Sequence, residues 1–282
     1  MFKKILCPVD LKDLTNTQLK FARGFAADQN ATLSAIYVTQ PPLNAYGYLL
    51  LSELEKRWDL FAQRQMMEFC GDDIEILIRR GSVGTAVAET AKSGAFDLLM
   101  IPTHGHREAK HLFLGSTFQA ILNASSLPLM ALPPRLLEQE PVEFRAPERI
   151  LCAIDIDPSA AKLVEIAGRI AKEYGAKTSL LHSIPVEERI LNLLDSGKRK
   201  GIEQRIQEKL LKEIPCAATI QARITTGSVE KEIIRAVTEE DIDLLILGFS
   251  HSHFRLRTVL YRTIVRLSIP CLCIPLNETI RF

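Results

Sequence analysis

Leu98-Leu99-Met100-Ile101-Pro102-Thr103-His104-Gly105-His106 opens a stretch that runs through Leu114-Gly115-Ser116-Thr117 to Pro133, and its reading decides the fold. Four apolar residues, Leu98 to Ile101, bounded by polar ones, predict a short buried strand. A polar loop follows, and from Ser116 apolar residues recur at helical spacing. The order is therefore strand, loop, helix amino terminus. Glycines at 105 and 115 let backbone approach a ligand closely, and the first turn of a helix offers unpaired N–H groups at the positive end of its dipole, a combination suited to phosphate. Neither Gly-x-x-x-x-Gly-Lys-Ser/Thr nor the three-glycine dinucleotide fingerprint occurs in the chain.

The surroundings of this stretch occur twice. Ile5-Leu6-Cys7-Pro8-Val9-Asp10 returns as Ile150-Leu151-Cys152-Ala153-Ile154-Asp155, and Arg80-Gly81-Ser82-Val83 as Thr226-Gly227-Ser228-Val229. Phe96-Asp97-Leu98-Leu99-Met100-Ile101 returns as Ile242-Asp243-Leu244-Leu245-Ile246-Leu247, and Ser125-Ser126-Leu127-Pro128 matches Leu267-Ser268-Ile269-Pro270. A repeat this long is a duplicated domain and not a solenoid unit. The seam, Pro133 to Pro147, holds four prolines and several charges and predicts an exposed linker. Domains are thus expected over 1–134 and 147–282.

Strand-like runs lie near 4–9, 32–38, 74–79, 98–101 and 129–132, with helical patterns near 16–28, 50–69, 84–92 and 116–124 between them. The second copy has strands near 149–154, 178–182, 218–223, 244–247 and 271–274. Alternation of this kind implies right-handed crossovers and a parallel sheet covered on both faces. The expected fold is α/β: two tandem, doubly wound, five-strand parallel sheets of the Rossmann-like kind. Such a sheet takes its ligand beyond the carboxyl ends of the strands, where strand order reverses.

A chain of 282 residues, 47% hydrophobic and 24% charged, can build a core in each half. A formal charge of +1 gives no electrostatic reason to expect nucleic acid or an anionic membrane as partner. No signal-peptide pattern and no run of 18 apolar residues is found, and the six scattered cysteines read as reduced, buried thiols, so a cytoplasmic protein is expected. The pair Cys271 and Cys273 falls on one strand face and is read the same way.

Gly105, nine residues, then Gly115-Ser116 resembles the nucleotide-binding signature of the universal stress protein family, in which a further glycine stands three positions before the first of these; Pro102 occupies that position here. The duplication and strand order resemble tandem members of the family, over nearly the whole chain. The resemblance implies that ATP, with or without magnesium, is bound in the first domain. It places Pro8, Val9, Asp10 and Val38 beside the adenine and ribose, and Gly105, Gly115, Ser116 and Thr117 at the phosphates, with Pro102, Thr103 and His104 in the same loop. Tyr37 and Thr103 are expected on the wall. Asp10 reads either as a ribose acceptor or as an N-cap of the first helix, and Ser116 either as a phosphate ligand or as a plain N-cap.

The second copy departs from the signature. Gly248 keeps one glycine, His251 replaces the next, and Arg257-Thr258 replaces Gly115-Ser116 after a shorter loop. This site is expected to be degenerate. The arginines 255, 257, 262 and 266 read as a solvated face, or as a small anion pocket or contact surface. His104-x-His106 with His111, and His251-x-His253, raise a transition-metal alternative without a fixed carboxylate or thiolate partner. No Ser-His-Asp order, paired carboxylates or Gly-x-Ser-x-Gly elbow is found, so no enzyme is expected beyond slow ATP hydrolysis. The reading is a stress-response nucleotide binder or sensor; the alternatives are an interaction protein with both sites vestigial, and an anion- or metal-binding stress protein. The short last strands, 129–132 and 271–274, predict self-association as an intramolecular pseudo-dimer, because an uncovered edge seeks a partner. Leu50, Leu51, Leu54, Trp58 and Phe61 form a helical apolar stripe expected to cover the sheet, and Tyr46, Tyr48 and Leu49 a lid or an interchain contact in a homodimer.

Overall fold

The computed structural model describes the chain except residues 12–14, 40–47, 104–115, 140, 158, 186–195, 215–219, 250–259, 261 and 277–282, and describes backbone only at 15, 48–56, 116, 196, 199 and 211. The chain divides into two compact units, Met1–Arg145 and Ala146–Thr279. Each is built on one five-stranded parallel sheet.

In the first unit the elements are β1 (Lys4–Val9), α1 (Thr15–Gln29), β2 (Thr32–Thr39), α2 (Tyr48–Cys70), β3 (Glu75–Arg80), α3 (Val83–Ser93), β4 (Leu98–Pro102), α4 (Ser116–Ala124), β5 (Leu129–Leu132) and α5 (Pro134–Leu137). The strand order is β3-β2-β1-β4-β5, and all pairs are parallel. Strands β1, β4 and β5 are buried along nearly their whole length, which is why they read as unbroken apolar runs and not as alternating ones. Right-handed crossovers place α1 and α2 on one face and α3 and α4 on the other. Accordingly α1 packs on α2, β1, β2 and β4, and α3 packs on α4. At the α3–α4 crossing, a Cβ on Gly84 would lie 2.7 Å from the Ala120 carbonyl oxygen, so the two helices meet where one of them has no side chain.

The second unit repeats the plan with β6 (Arg149–Ala153), α6 (Ala160–Tyr174), β7 (Lys177–Ile184), α7 (Ser196–Glu213), β8 (Gln221–Thr226), α8 (Val229–Glu239), β9 (Leu244–Phe249) and β10 (Cys271–Pro275). Its strand order, β8-β7-β6-β9-β10, is the same path through the sheet. The repeated aspartates have a structural purpose at the amino ends of the strands. Asp97 accepts the backbone N–H groups of Lys3 (2.8 Å) and Lys4 (3.0 Å), and Asp243 those of Glu148 and Arg149 (both 2.9 Å).

Two sequence expectations change. The seam is not a bare linker: Pro134, Leu136, Leu137 and Val142 are buried. Phe144 sets its ring edge-to-face against Phe21 (5.7 Å, 88°) and Phe25 (5.1 Å, 89°) of α1, where Gly24 leaves room for it. The described part of the α2 stripe also points the other way. Trp58 and Phe61 are exposed, at 46% and 52%, while Ala62, Met66 and Cys70 are the buried positions. The packed face of α2 is displaced from the row of large apolar residues because small and flexible side chains fit closest to the sheet. Leu50, Leu51, Leu54, Tyr48 and Leu49 lie outside the described side chains and Tyr46 outside the described residues.

Candidate functional site

In the first unit the path through the sheet reverses between β1 and β4, and the crevice lies beyond their carboxyl ends. Pro8, Val9 and Asp10 leave β1 here, with Val9 nearly buried and Asp10 exposed. Tyr37 and Val38, both half-buried, come from the end of β2. Burial, and after it the negative charge of Asp10, pushes the Tyr37 phenol up from its ordinary value, so the two side chains share one corner of the crevice. Pro102 closes β4, and Thr103 beyond it is fully buried, its N–H donating to the Leu132 carbonyl at 3.0 Å. Asp10 is not an N-cap, because the residue after it, Leu11, has φ 58° and so cannot be the first residue of a right-handed helix.

The helix expected to receive phosphate is α4, which starts at Ser116, with Thr117 exposed in its first turn. His104, Gly105 and Gly115 lie outside the described residues, as do His106, His111, His251, His253, Arg255, Arg257 and Thr258. Among the described residues no group of three or more His, Cys, Asp or Glu side chains could hold a metal ion. No helix there is long and apolar enough to cross a membrane. Five cysteines, at 7, 70, 152, 271 and 273, are free and buried, and burial raises the thiols of Cys7, Cys152 and Cys273 to about 12.

The equivalent place in the second unit is built differently. Asp155 corresponds to Asp10 and His182 to Tyr37. The His182 Nδ1–H donates to the Ile154 carbonyl (3.1 Å) and lies 3.8 Å from the Asp155 carboxylate. Gly248, at the position of Pro102, faces filled space: a Cβ there would lie 2.8 Å from Leu163 Cδ1 and 2.9 Å from Leu276. The Lys162 ammonium donates to the Pro275 carbonyl across the same strand ends at 2.9 Å. Of the second unit's arginines, Arg266 pairs with Glu230 of α8 and is not a loose cation.

One residue of the first crevice has no counterpart in the sequence reading. Gln18 of α1 is 1% exposed and its amide reaches the ends of both β1 and β4. Its signal in the sequence was the pair of prolines at 8 and 102, each in an apolar central strand where a missing N–H requires another donor.

The fold and crevice define a class: α/β proteins of two tandem, doubly wound units, each with its ligand position at the strand carboxyl ends. Within that class the chain belongs to the universal stress protein family, which matches it twice, over residues 1–133 and 147–275. It is 30% identical over 139 residues to universal stress protein A homolog 1 of Coxiella burnetii, covering 46% of this chain and 95% of that protein. It is 28% identical over 140 residues to universal stress protein A of Escherichia coli K12, covering 46% and 96%. The solved structure of a universal stress protein from Archaeoglobus fulgidus superposes with a TM-score of 0.64 at 15% identity, covering 96% of both chains. A functionally unknown protein from Pseudomonas aeruginosa PAO1 gives 0.61 at 15% identity over 97% of this chain and 92% of that one.

Proposed function

We propose that the first unit binds one adenine nucleotide per chain in the β1/β4 crevice and that the second unit binds none in this way. The observation that carries the reading is the contrast between the two crevices. Around the first stand an exposed carboxylate at a strand exit, a half-buried tyrosine and the amino end of α4. In the second, Leu163 and Leu276 fill the space beside Gly248. In this reading Asp10 accepts from a ribose hydroxyl, Val9, Tyr37 and Val38 flank the base, and Ser116 and Thr117 with Gly105 and Gly115 receive the phosphates of ATP, with magnesium as their counter-ion. Pro8 and Pro102 shape the floor, while Thr103 and His104 start the loop. In this reading nucleotide binding shifts a conformational or assembly equilibrium, and slow ATP hydrolysis is the most chemistry expected of the site. Buried thiols suit such a sensor to the cytoplasm.

Calorimetric titration of ATP with magnesium tests this directly. The expected stoichiometry is one. Gly115→Leu should abolish binding, because a side chain there covers the helix amino terminus. Asp10→Ala should weaken it roughly tenfold, the loss of one good hydrogen bond. Arg257→Ala should leave it unchanged. Absence of heat with the wild type, or full binding by Gly115→Leu, would transfer the chain to the interaction-protein reading.

A further inference from the structure

The ladder between β1 and β4 stops early. It runs through Ile5↔Leu98 and Leu6↔Leu99, whereas the equivalent ladder between β6 and β9 continues through Cys152↔Ile246 to Ala153↔Leu247. The hydrogen-bond directions explain the difference. Lys3 O accepts from Thr32 of β2 while Lys4 O accepts from Asp97, so the even residues of β1 face β4. Leu99 and Thr103 donate toward β5, so the even residues of β4 face β1. Carried on in register, the ladder would next need the N–H of residue 8 on the Met100 carbonyl and the N–H of residue 102 on the Pro8 carbonyl. Both residues are proline and have no N–H. The second unit has Ala153 and Gly248 at these positions.

Two carbonyls are thereby left without backbone donors, and one side chain serves both. Gln18 Nε2 lies 2.8 Å from Pro8 O and 3.3 Å from Met100 O, with Cys7 Sγ at 2.9 Å. A primary amide has two hydrogens, enough for two carbonyls. At the same place in α6 stands Leu163, which needs no partner and packs beside Gly248.

We infer that Gln18, Pro8 and Pro102 form a three-residue prop at the ends of β1 and β4, in which the Gln18 amide stands in for the two missing backbone donors, with Gln18 as a positioning residue for the ligand crevice. This rests on the reading that the crevice takes the nucleotide, and it accounts for the difference between the two units: where backbone donors are present the ladder continues, and where prolines remove them one side-chain amide serves both carbonyls.

A mutant cycle tests the prop on the full chain. Gln18→Met removes the donor at nearly constant shape, and P8A/P102A restores two backbone N–H groups. In the wild-type background Gln18→Met should lower the urea midpoint by about 1 M, since two carbonyls lose their partner. In the P8A/P102A background the same change should leave the midpoint where it was. By NMR, the two backbone amides that P8A/P102A introduces should be strongly protected from exchange. P8A/P102A should keep the wild-type circular dichroism but bind ATP at least roughly tenfold more weakly, because strand ends joined by backbone bonds instead of the Gln18 amide shift the residues around the crevice and so misplace its ligand. An equal cost of Gln18→Met in both backgrounds, or fast exchange at positions 8 and 102 of that variant, overturns the prop. Unchanged ATP affinity in P8A/P102A overturns its role in the crevice. If the wild type takes up no ATP, the nucleotide reading falls, while the urea cycle and the exchange rates still decide the prop.

Discussion

At Tyr37 and His182 the two copies place different aromatic rings at equivalent positions, one under the negative charge of Asp10 and the other 3.8 Å from the Asp155 carboxylate. The raised Tyr37 phenol can be measured. Its ionisation, followed by ultraviolet difference absorbance with Tyr37→Phe as reference, should fall above the ordinary value of 10.0, and Asp10→Asn should bring it part of the way down, leaving the burial contribution. For an acid whose folded value is raised, the sign follows: the contribution of Tyr37 to stability is complete below pH 10.0 and is lost as pH rises through the folded value. In the sequence Asp10 read either as a ligand acceptor or as a helix N-cap, and the φ of 58° at Leu11 removes the second. Gln18 was signalled only indirectly, by the prolines at 8 and 102, since a glutamine among helical residues normally faces water. Only the register of β1 against β4 exposes the two missing donors.

Among the elements, the strands were readable because short apolar runs bounded by breakers leave little choice: β1 and β5 span the expected 4–9 and 129–132, and β2 and β4 run one residue beyond expectation. Faces of helices were less so. In α2 the row of large apolar residues suggested the packed side, yet Met66 is fully buried and Trp58 is not. Met66→Ala should therefore cost about 2–5 kcal/mol in urea unfolding, while Trp58→Gln should stay within about 0.5 kcal/mol. The α3–α4 crossing gives a second check. Gly84→Leu must force the helices apart at Ala120, and a loss of about 1–3 kcal/mol is expected. The seam was misread as exposed because proline and charge dominate its composition, whereas Val142 is buried and Phe144 anchors the segment on α1.

For the molecule as a whole, duplication was the clearest message in the sequence, and the identical strand paths of the two units follow from it. The difference between the crevices was half readable: the altered loop of the second copy was visible, the filling by Leu163 and Leu276 was not, since both belong to ordinary apolar patterns. A protein-wide consequence concerns the thiols. With Cys7, Cys152 and Cys273 raised to about 12 by burial, alkylation of the native chain at neutral pH, mapped by mass spectrometry, should spare these positions and label them fully in urea. Labelling of Cys7 or Cys152 in the native protein would contradict the cores described. The paired aspartates at the amino ends of the strands also constrain how the chain is born. Asp97 fastens a strand that precedes it by more than ninety residues, and Asp243 does the same for Glu148 across 95. During synthesis the central strand of each unit must wait, unpaired on one side, until nearly the whole unit has left the ribosome. A nascent chain halted before Asp97 would then expose the apolar edge of β1 to chaperones, and one carrying β4 and β5 would close over it.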